Sequence, residues 1–545
     1  MVRNCRAQDE GPAQSRNNLA ADDRAVQMSS VTPADRPSPG ARHLARVAEE
    51  GLQRRGDHPA LLFEGRLHSS GTLAERAARM AGGFSSLGLV PGERVAVCMA
   101  NCPEVTITYH ALWRAGLVVT PVTFLLGETE LRHVLADSGA RAVVTTPEFL
   151  DKIGTASAGL PELRHILCTE VVETVGSQPV LALAELEQSP AAGIADRDED
   201  DLAALLYTGG TTGRAKGVML SHASLHYTGQ AAYRSAHQPG ITRSLVTLPL
   251  SHAYGLLVTV AALHAEEPAF TVLLRWFEPT QFLEMVQDHE LQQSSVVPTM
   301  LQLLLGCPLE DYDLSSLRYL TSGGAPLPEE TERAFLARVP GTLIRQGYGM
   351  TETAALISST PVGRERPGSV GLPVPGTELE IRDDSGQPLP PGEIGEICVR
   401  SPGVMRGYWR SPEATAAAIH DGWLHTGDVG YQDARGYLFV VDRKKDLIIR
   451  GGFNVYPRDV EDLLTEHPEV AMAGVVGGPS ERHGEEVVAF VALTPGSKLT
   501  PEALVAWAKE RIGGYKYPRE VHIVEAVPLT AVGKIDRKEL RARLR

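Results

Sequence analysis

From Leu205 to Leu220 an apolar run gives way to glycines and threonines and closes on a lysine, a pattern that forces a tight loop rich in exposed hydrogen-bond donors. Leu202 to Tyr207 reads as a short buried strand, and Ser221 is a suitable N-cap for a helix running towards Gln230. Between them Gly209, Gly210 and Gly213 let backbone N–H groups converge on an anion, while Thr208, Thr211 and Thr212 add hydroxyls and Lys216 a charge. No Lys-Ser or Lys-Thr pair follows a glycine at Walker spacing, and the stretch is not the dinucleotide GxGxxG, so a third kind of phosphate loop is implied. Clusters of Ser, Thr and Gly are ordinarily plain surface turns. The fixed order of residue types sets this one apart.

A chain of 545 residues, 43% of them apolar, is too long for one core and divides into domains. Its formal charge of -15 argues against nucleic acid as a partner, because an acidic surface gains nothing from counterion release. Six scattered cysteines without a CxxC pair suit a reducing cytoplasm, where the chain is expected, and offer no metal site. Ser244 to Ala265 is the longest uncharged apolar stretch, but Pro249, Ser251, His252 and Gly255 interrupt it. A strand, loop and helix inside a large domain fit it better than a membrane span. The N-terminus has arginines but no apolar core, so it does not read as a secretory signal.

Residues 1–40 lack periodic hydrophobicity and are expected to be disordered. From Ala41 helical stretches (Leu73 to Leu87) alternate with short apolar runs (Arg94 to Met99, Arg141 to Thr145), which predicts βα units and a mainly parallel sheet. A second such run spans about 200–370. There Leu317 to Thr321 leads into Gly323, Gly324 and Ala325, and Thr342 to Arg345 leads into Gly347, Tyr348, Gly349, Thr351 and Glu352. Ligands of open α/β sheets lie outside the carboxyl ends of strands, so three glycine-bearing loops are expected to meet at one crevice. After Gly371 the short β segments Leu379 to Arg382, Gly395 to Arg400 and Tyr437 to Val441 predict a small barrel or distorted sheet. Beyond Asp442 the pattern is that of a separate α+β module of about one hundred residues.

The order Tyr207, Thr208, Gly210, Thr211, Thr212, Gly213, Lys216, Gly217 resembles the signature of the adenylate-forming superfamily, which contains acyl-CoA synthetases, luciferases and peptide-synthetase adenylation domains. Gly209 stands where Ser is usual and Ala215 where Pro is usual; both still permit a tight loop. Gly347 to Thr353 matches the superfamily's second signature, and Pro91 to Val97 with Asn101 and the Ala111 to Gly116 helix end resemble its opening subdomain. The usual Tyr-rich strand before the first helix is replaced by His68 to Thr72, so that edge is expected to differ.

The resemblance implies a large N-terminal domain (41–442) of two βα-layered subdomains plus a small β-barrel, and a small mobile α+β C-terminal domain (443–545), hinged at about 442–446 near Lys445. It also implies roles. Tyr348 stacks on adenine, Thr351 contacts the α-phosphate, and Glu352, with Thr208, binds Mg²⁺. Asp428 binds ribose with Arg443 in support. Lys534, from the C-terminal domain, bridges the α-phosphate and the substrate carboxylate. Rotation at the hinge would replace the Lys534 face by one carrying Gly451 and Gly452, past which a thiol arm enters. His252 stands at the mouth of the acyl pocket and is counted with Lys534, Thr351 and Glu352 as catalytic.

Peptide-synthetase domains carry an Asp near His252 for the substrate ammonium; none stands here, which disfavours an α-amino acid. Glu266 and Glu267 either lie exposed or line the pocket, where they would repel a dicarboxylate. The expected activity is an acyl-CoA synthetase that uses ATP, Mg²⁺ and coenzyme A on a small-molecule carboxylic acid. Gly451 to Pro457 and the form of the first loop favour a fatty or related acid. The alternative acceptor is the phosphopantetheine of an acyl carrier protein; a luciferase-like oxygenase and a nucleotide-binding partner without activity are further rivals. No membrane span is expected, and either a monomer or a homodimer.

Overall fold

A computed structural model describes residues 41–208, 214–480, 482–530 and 534–544. The N-terminal extension and loop residues Gly209 to Gly213 therefore lie outside the described residues.

Two large sheets carry the described residues from 41 to about 373, as the alternation of helical and apolar runs predicts. One has eight strands, with Leu202–Thr208, Val118–Pro121, Arg94–Cys98, Ala142–Thr145, His165–Cys168 and Gln178–Ala182 side by side and parallel. The other has nine, its parallel centre formed by Leu343–Tyr348, Tyr319–Ser322, Gln293–Val296, Arg243–Val246, Phe270–Leu273 and Pro59–Phe63. The central strands of the first sheet are short and mostly apolar, such as Ala142–Thr145 with every residue buried, as parallel strands covered on both faces must be. The stretch from Ser244 to Ala265 resolves into strand Arg243–Val246, a loop and helix Ala253–Leu263. Among the described residues no helix is long and apolar enough to cross a membrane.

The first loop differs from its expected form. It joins two antiparallel strands, because Lys216–Ser221 pairs back along Leu202–Thr208 before the helix His222–Ala236 begins. Val218 and Leu220, two apart on one face, enter the core, and Lys216 is exposed at the strand's open end. Ser221 caps the helix as expected, its side chain accepting from the Ser224 N–H.

The segment after Gly371 forms a five-stranded antiparallel sheet of Glu378–Arg382, Gly395–Arg400, Trp423–Gln432, Ile419–His420 and Leu438–Arg443. Among the described residues no pairing joins Glu378–Arg382 to Leu438–Arg443, so the sheet stays open and takes the distorted form rather than a closed barrel. Breaks in register at Glu396/Cys398 and Val429/Gly430 bend it instead. The last hundred residues build a fourth sheet on the long hairpin Val470–Ser480 and Gly484–Leu493, with helices Pro457–Thr465 and Pro501–Lys509. Gly451 and Gly452 form a two-residue turn between Ile448–Arg450 and Phe453–Val455, with φ of +56° and +86°. A two-residue hairpin with both φ positive favours glycine, so this pair has a local structural reason of its own.

A buried amide ties the two large sheets, beside the Tyr109 hydroxyl on the Leu250 carbonyl at 3.1 Å. Asn101, 2% exposed just past strand Arg94–Cys98, donates through Nδ2 to the carbonyls of Leu248 (2.9 Å) and Leu274 (3.2 Å) and accepts the Leu250 N–H at 2.9 Å. Those partners follow two strands of the other sheet. Replacing it by alanine strands a donor and two acceptors in the interior, at about 1–3 kcal/mol for each group left unpaired. Asn101→Ala is expected to lower the Tm by several degrees in a calorimetric scan; an unchanged Tm would show that the sheets are held together elsewhere.

Candidate active site

Loops following strands of both large sheets open into one continuous cavity of about 1850 Å³. Of the site residues named from sequence, Thr208, Lys216, His252, Gly323, Gly324, Ala325, Gly347, Tyr348, Gly349, Thr351, Glu352, Asp428, Arg443, Lys445 and Lys534 all line it. Gly452 does not; it lies exposed on its hairpin turn. Gly209, Gly210, Thr211, Thr212 and Gly213 lie outside the described residues.

The Gly347 stretch shows how local sequence aims these groups. Gly347 and Tyr348 continue strand Leu343–Tyr348 rather than forming a turn, because they pair with Ser358–Ser359. At Gly349 a Cβ would overlap the Ala355 backbone, so the chain folds back only with glycine there. Thr351–Thr353 then makes one 3-10 turn, and Ala354 and Ala355 take φ of +49° and +71°, strain of the kind that functional loops retain.

Two carboxylates face the cavity, each held by a tyrosine. The Tyr348 hydroxyl donates to Asp428 Oδ2 at 2.6 Å, and Arg443 Nε lies 3.3 Å from Asp428 Oδ1. Burial, then the Asp428 charge, pushes the Tyr348 pKa well above that of a free phenol, so this proton stays in place. Tyr408 donates to Glu352 Oε1 at 2.8 Å, and Lys216 Nζ sits 5.0 Å from the centre of the Tyr408 ring. Tyr408 escapes sequence reasoning: it lies 56 positions from Glu352, and tertiary contacts such as the Met405 N–H on the Glu352 carbonyl (2.8 Å) bring the two segments together. Among the described residues Tyr408 is the only side-chain partner of Glu352, which leaves Oε2 free. One buried carboxylate beside the hydroxyls of Thr208 and Thr351 fits a hard cation that keeps water and phosphate oxygens as its other ligands.

Cations balance these acids. Lys534 reaches the cavity from the C-terminal segment, and burial first, then Arg443, lowers its pKa to about 8 against the pull of Asp428 and Glu352. His252 caps helix Ala253–Leu263, its Nδ1 accepting the Tyr254 N–H at 3.3 Å; burial and the nearby Lys534 charge lower its pKa to about 4, so the ring is neutral. The hinge segment is anchored on both sides. Lys444 reaches Asp384 (2.9 Å), Arg541 reaches Asp446 (2.9 Å), and the Arg458 N–H donates to Asp442 Oδ2 (2.9 Å). Of the two acids left open by the sequence, Glu266 is exposed and Glu267 lines the cavity.

Residues 48–409 match the AMP-binding enzyme family, and 459–534 match the AMP-binding enzyme C-terminal domain. The chain belongs to the AMP-binding enzyme family. It is an adenylate-forming acid–CoA ligase, which uses ATP and coenzyme A on a small-molecule carboxylic acid. It is 39% identical to a feruloyl-CoA synthase of an Amycolatopsis species over 86% of this chain and 93% of that one. It is 35% identical to a long-chain-fatty-acid–CoA ligase of Bacillus subtilis, covering 93% and 95%. The structure superposes on an anthranilate CoA ligase in complex with anthranoyl-AMP with a TM-score of 0.86 at 27% identity, covering 94% and 98%.

A hydroxyl donating to a buried carboxylate contributes about 1.5–3 kcal/mol. Tyr348→Phe is therefore expected to lower the Tm by a few degrees, most clearly at low salt where Arg443 is least screened. A Tm equal to that of the parent would mean that water takes over the donor role at Asp428.

Proposed function

We propose that this cleft carries out both half-reactions of acid–CoA ligation and that the C-terminal segment changes its pose between them. The observation that carries the reading is the position of Lys534 among Asp428, Glu352 and His252 on one cavity wall. In the first step a carboxylate oxygen attacks the α-phosphorus of ATP, and the bond to the β-phosphate bridging oxygen breaks, releasing pyrophosphate. Lys534, as the ammonium, spreads the charge shared by the α-phosphate and the attacking carboxylate, a preorganised electrostatic role of the kind worth 10²–10³ in rate. Asp428, steadied by Tyr348 and Arg443, accepts from the ribose hydroxyls. Tyr348 packs on the adenine, and the loop of Thr208 to Lys216 receives the phosphates. Glu352 and Thr208 would hold Mg²⁺, which when bound supplies charge neutralisation on the phosphates.

In the second step the thiol sulfur attacks the acyl carbonyl, AMP leaves, and the thiol proton departs to solvent or phosphate. The hinge at 442–446 turns about Lys445, withdraws Lys534 and brings Gly451 and Gly452 to the cleft, their lack of side chains leaving room for a slender thiol arm. Neutral His252, at the junction of the nucleotide loops and the acyl space, sits where the acid and the thiol meet. Free coenzyme A is the acceptor we favour; a carrier-protein phosphopantetheine is the second reading, and incubation with acid, ATP and each thiol in turn separates them. For the acid itself, the relatives divide between an aliphatic and an aryl class. The Bacillus relative and the form of Gly451 to Pro457 support a fatty or related acid, and the Amycolatopsis relative supports an aryl one.

Lys534→Ala is expected to lower carboxylate-dependent pyrophosphate release by about 10²–10³ while largely sparing thioester formation from supplied acyl-adenylate. Equal loss in both half-reactions would overturn the two-pose reading. The protonated amine is the active form, so kcat/KM for adenylation falls as pH rises through the Lys534 pKa of about 8. In Lys534→Arg the charge persists at alkaline pH, and this limb of the profile is expected to flatten even if the absolute rate drops.

A further inference from the structure

The two stems of the phosphate loop are gripped by one helix, Glu128–Ser138. His133 and Asp137 stand four residues apart on it and so share a face. The Tyr207 hydroxyl donates to Asp137 Oδ2 at 2.6 Å, and His133 Nε2 donates to the Ala215 carbonyl at 2.9 Å. Tyr207 immediately precedes Thr208, and Ala215 immediately precedes Lys216, so each stem carries one of the two bonds. Tyr207, Thr208 and Lys216 line the cavity, whereas His133 and Asp137 stand behind it.

Both sides of this grip are fixed. On the loop side Gly217 pairs with Tyr207, and a Cβ on Gly217 would come to 3.1 Å from the Tyr207 ring and from Trp409 Cβ, so the phenol packs directly on the strand backbone. Its ring meets that of His133 edge-on, with centroids 6.2 Å apart. Burial, then the Asp137 charge, raises the Tyr207 pKa above that of a free phenol, so the donated proton is kept. Alanine at 215 has no ring to fix its φ, and the His133 bond restrains the peptide that leads into Lys216. On the helix side Arg94 donates to the carbonyls of Ser138 (2.7 Å) and Gly139 (3.0 Å), and Trp409 Nε1 to that of Asp137 (3.1 Å), filling acceptors that a helix end leaves unpaired. Trp409 adjoins Tyr408, which holds Glu352, so one strap of chain steadies both the helix and that carboxylate. Apolar packing alone would let the hairpin slide on the helix. Two directed bonds, one at each stem, do not.

We infer that His133 and Asp137 are positioning residues for the polyphosphate of ATP, acting through Ala215 and Tyr207 to hold Lys216 and Thr208 where the phosphates meet them. The inference rests on the reading of this loop as the receiver of the phosphates and names what aims it. A misplacement of about 1 Å in such groups costs up to about 10²-fold. AMP lacks the β- and γ-phosphates and is held at its nucleoside end by Asp428 and Tyr348, so the clamp matters to ATP and little to AMP.

The test is calorimetric titration of the full chain with Mg·ATP and, separately, with AMP. Asp137→Ala and His133→Ala are each expected to raise the Kd for Mg·ATP by about tenfold or more and to leave that for AMP unchanged. A contact that served stability alone would lower the Tm and move neither constant, or both together. Where the stranded Tyr207 hydroxyl destabilises Asp137→Ala, Tyr207→Phe/Asp137→Ala removes both partners and carries the same expectation. Tyr207→Phe by itself is expected to match that double variant, because Asp137 acts through the hydroxyl. His133→Gln, which returns an N–H donor near the Nε2 position, is expected to recover ATP binding. Equal weakening of ATP and AMP, an unmoved constant for ATP, additive losses in the double variant, or His133→Gln binding as weakly as His133→Ala would each overturn the inference. Lys216→Ala separates the two levels. If it weakens ATP over AMP while the clamp variants do not, the inference alone fails; if it binds ATP as the parent does, the phosphate-loop reading fails and the inference with it.

Discussion

The cleft exists because one buried amide holds two separately wound sheets in a fixed relation. Asn101 gives both of its protons and one of its acceptor sites to backbone groups that follow Arg243–Val246 and Phe270–Leu273, while its own backbone continues from Arg94–Cys98. Each sheet by itself ends in loops that face outward. Together the two bound a common space, in which Thr208 and Lys216 from one sheet and the Gly323 and Gly347 loops from the other line the same cavity. Apolar burial supplies the bulk of the stability, but it is non-directional and would tolerate sliding. Three hydrogen bonds to fixed backbone groups do not.

Within that space the chemistry is a matter of charge placed in a low-dielectric setting. Glu352 and Asp428 would repel a polyphosphate if they stood alone. Each is instead bound to a tyrosine hydroxyl, and Asp428 also to Arg443, so their charge is directed and partly neutralised before any ligand arrives. Tyrosine suits this task because its proton is retained. Burial raises the phenol pKa, and the adjacent carboxylate raises it further, so each hydroxyl keeps the proton it donates.

How much of this was legible in the sequence depended on whether a feature is local. Phosphate loops are local: glycine, threonine and lysine in a fixed order serve the same purpose wherever the strand leads, so Thr208, Lys216, Tyr348 and Glu352 were named and all reach the cavity. The short edge strand Lys216–Ser221 was missed because six residues beginning Lys-Gly carry little alternating signal, and only pairing with Leu202–Thr208 reveals it. Tyr408 was illegible for a different reason: a hydroxyl bond across 56 positions depends on tertiary structure. Of the two forms expected after Gly371, a small barrel or a distorted sheet, the choice rested on strand pairing and on register breaks that bend the sheet, neither of which composition reveals.

The proposed change of pose follows from the energetics of Lys534. Its depressed pKa means that the protein disfavours an ammonium at this position in the absence of phosphate. Arg443 and Lys445 lie close enough to repel it, and burial removes its water. A triphosphate entering the cleft reverses the balance by bringing several negative charges to the same place. The docked arrangement of the C-terminal segment is therefore favoured when ATP is present and weakened once pyrophosphate has left, taking most of that charge with it. Of the surrounding ties Lys444–Asp384 is exposed and contributes little, whereas Asp442 and Asp446 are buried and act as a fixed pivot. In the proposed cycle the step that makes the adenylate thus removes the charge that favours Lys534 in the cleft and promotes its withdrawal about that pivot.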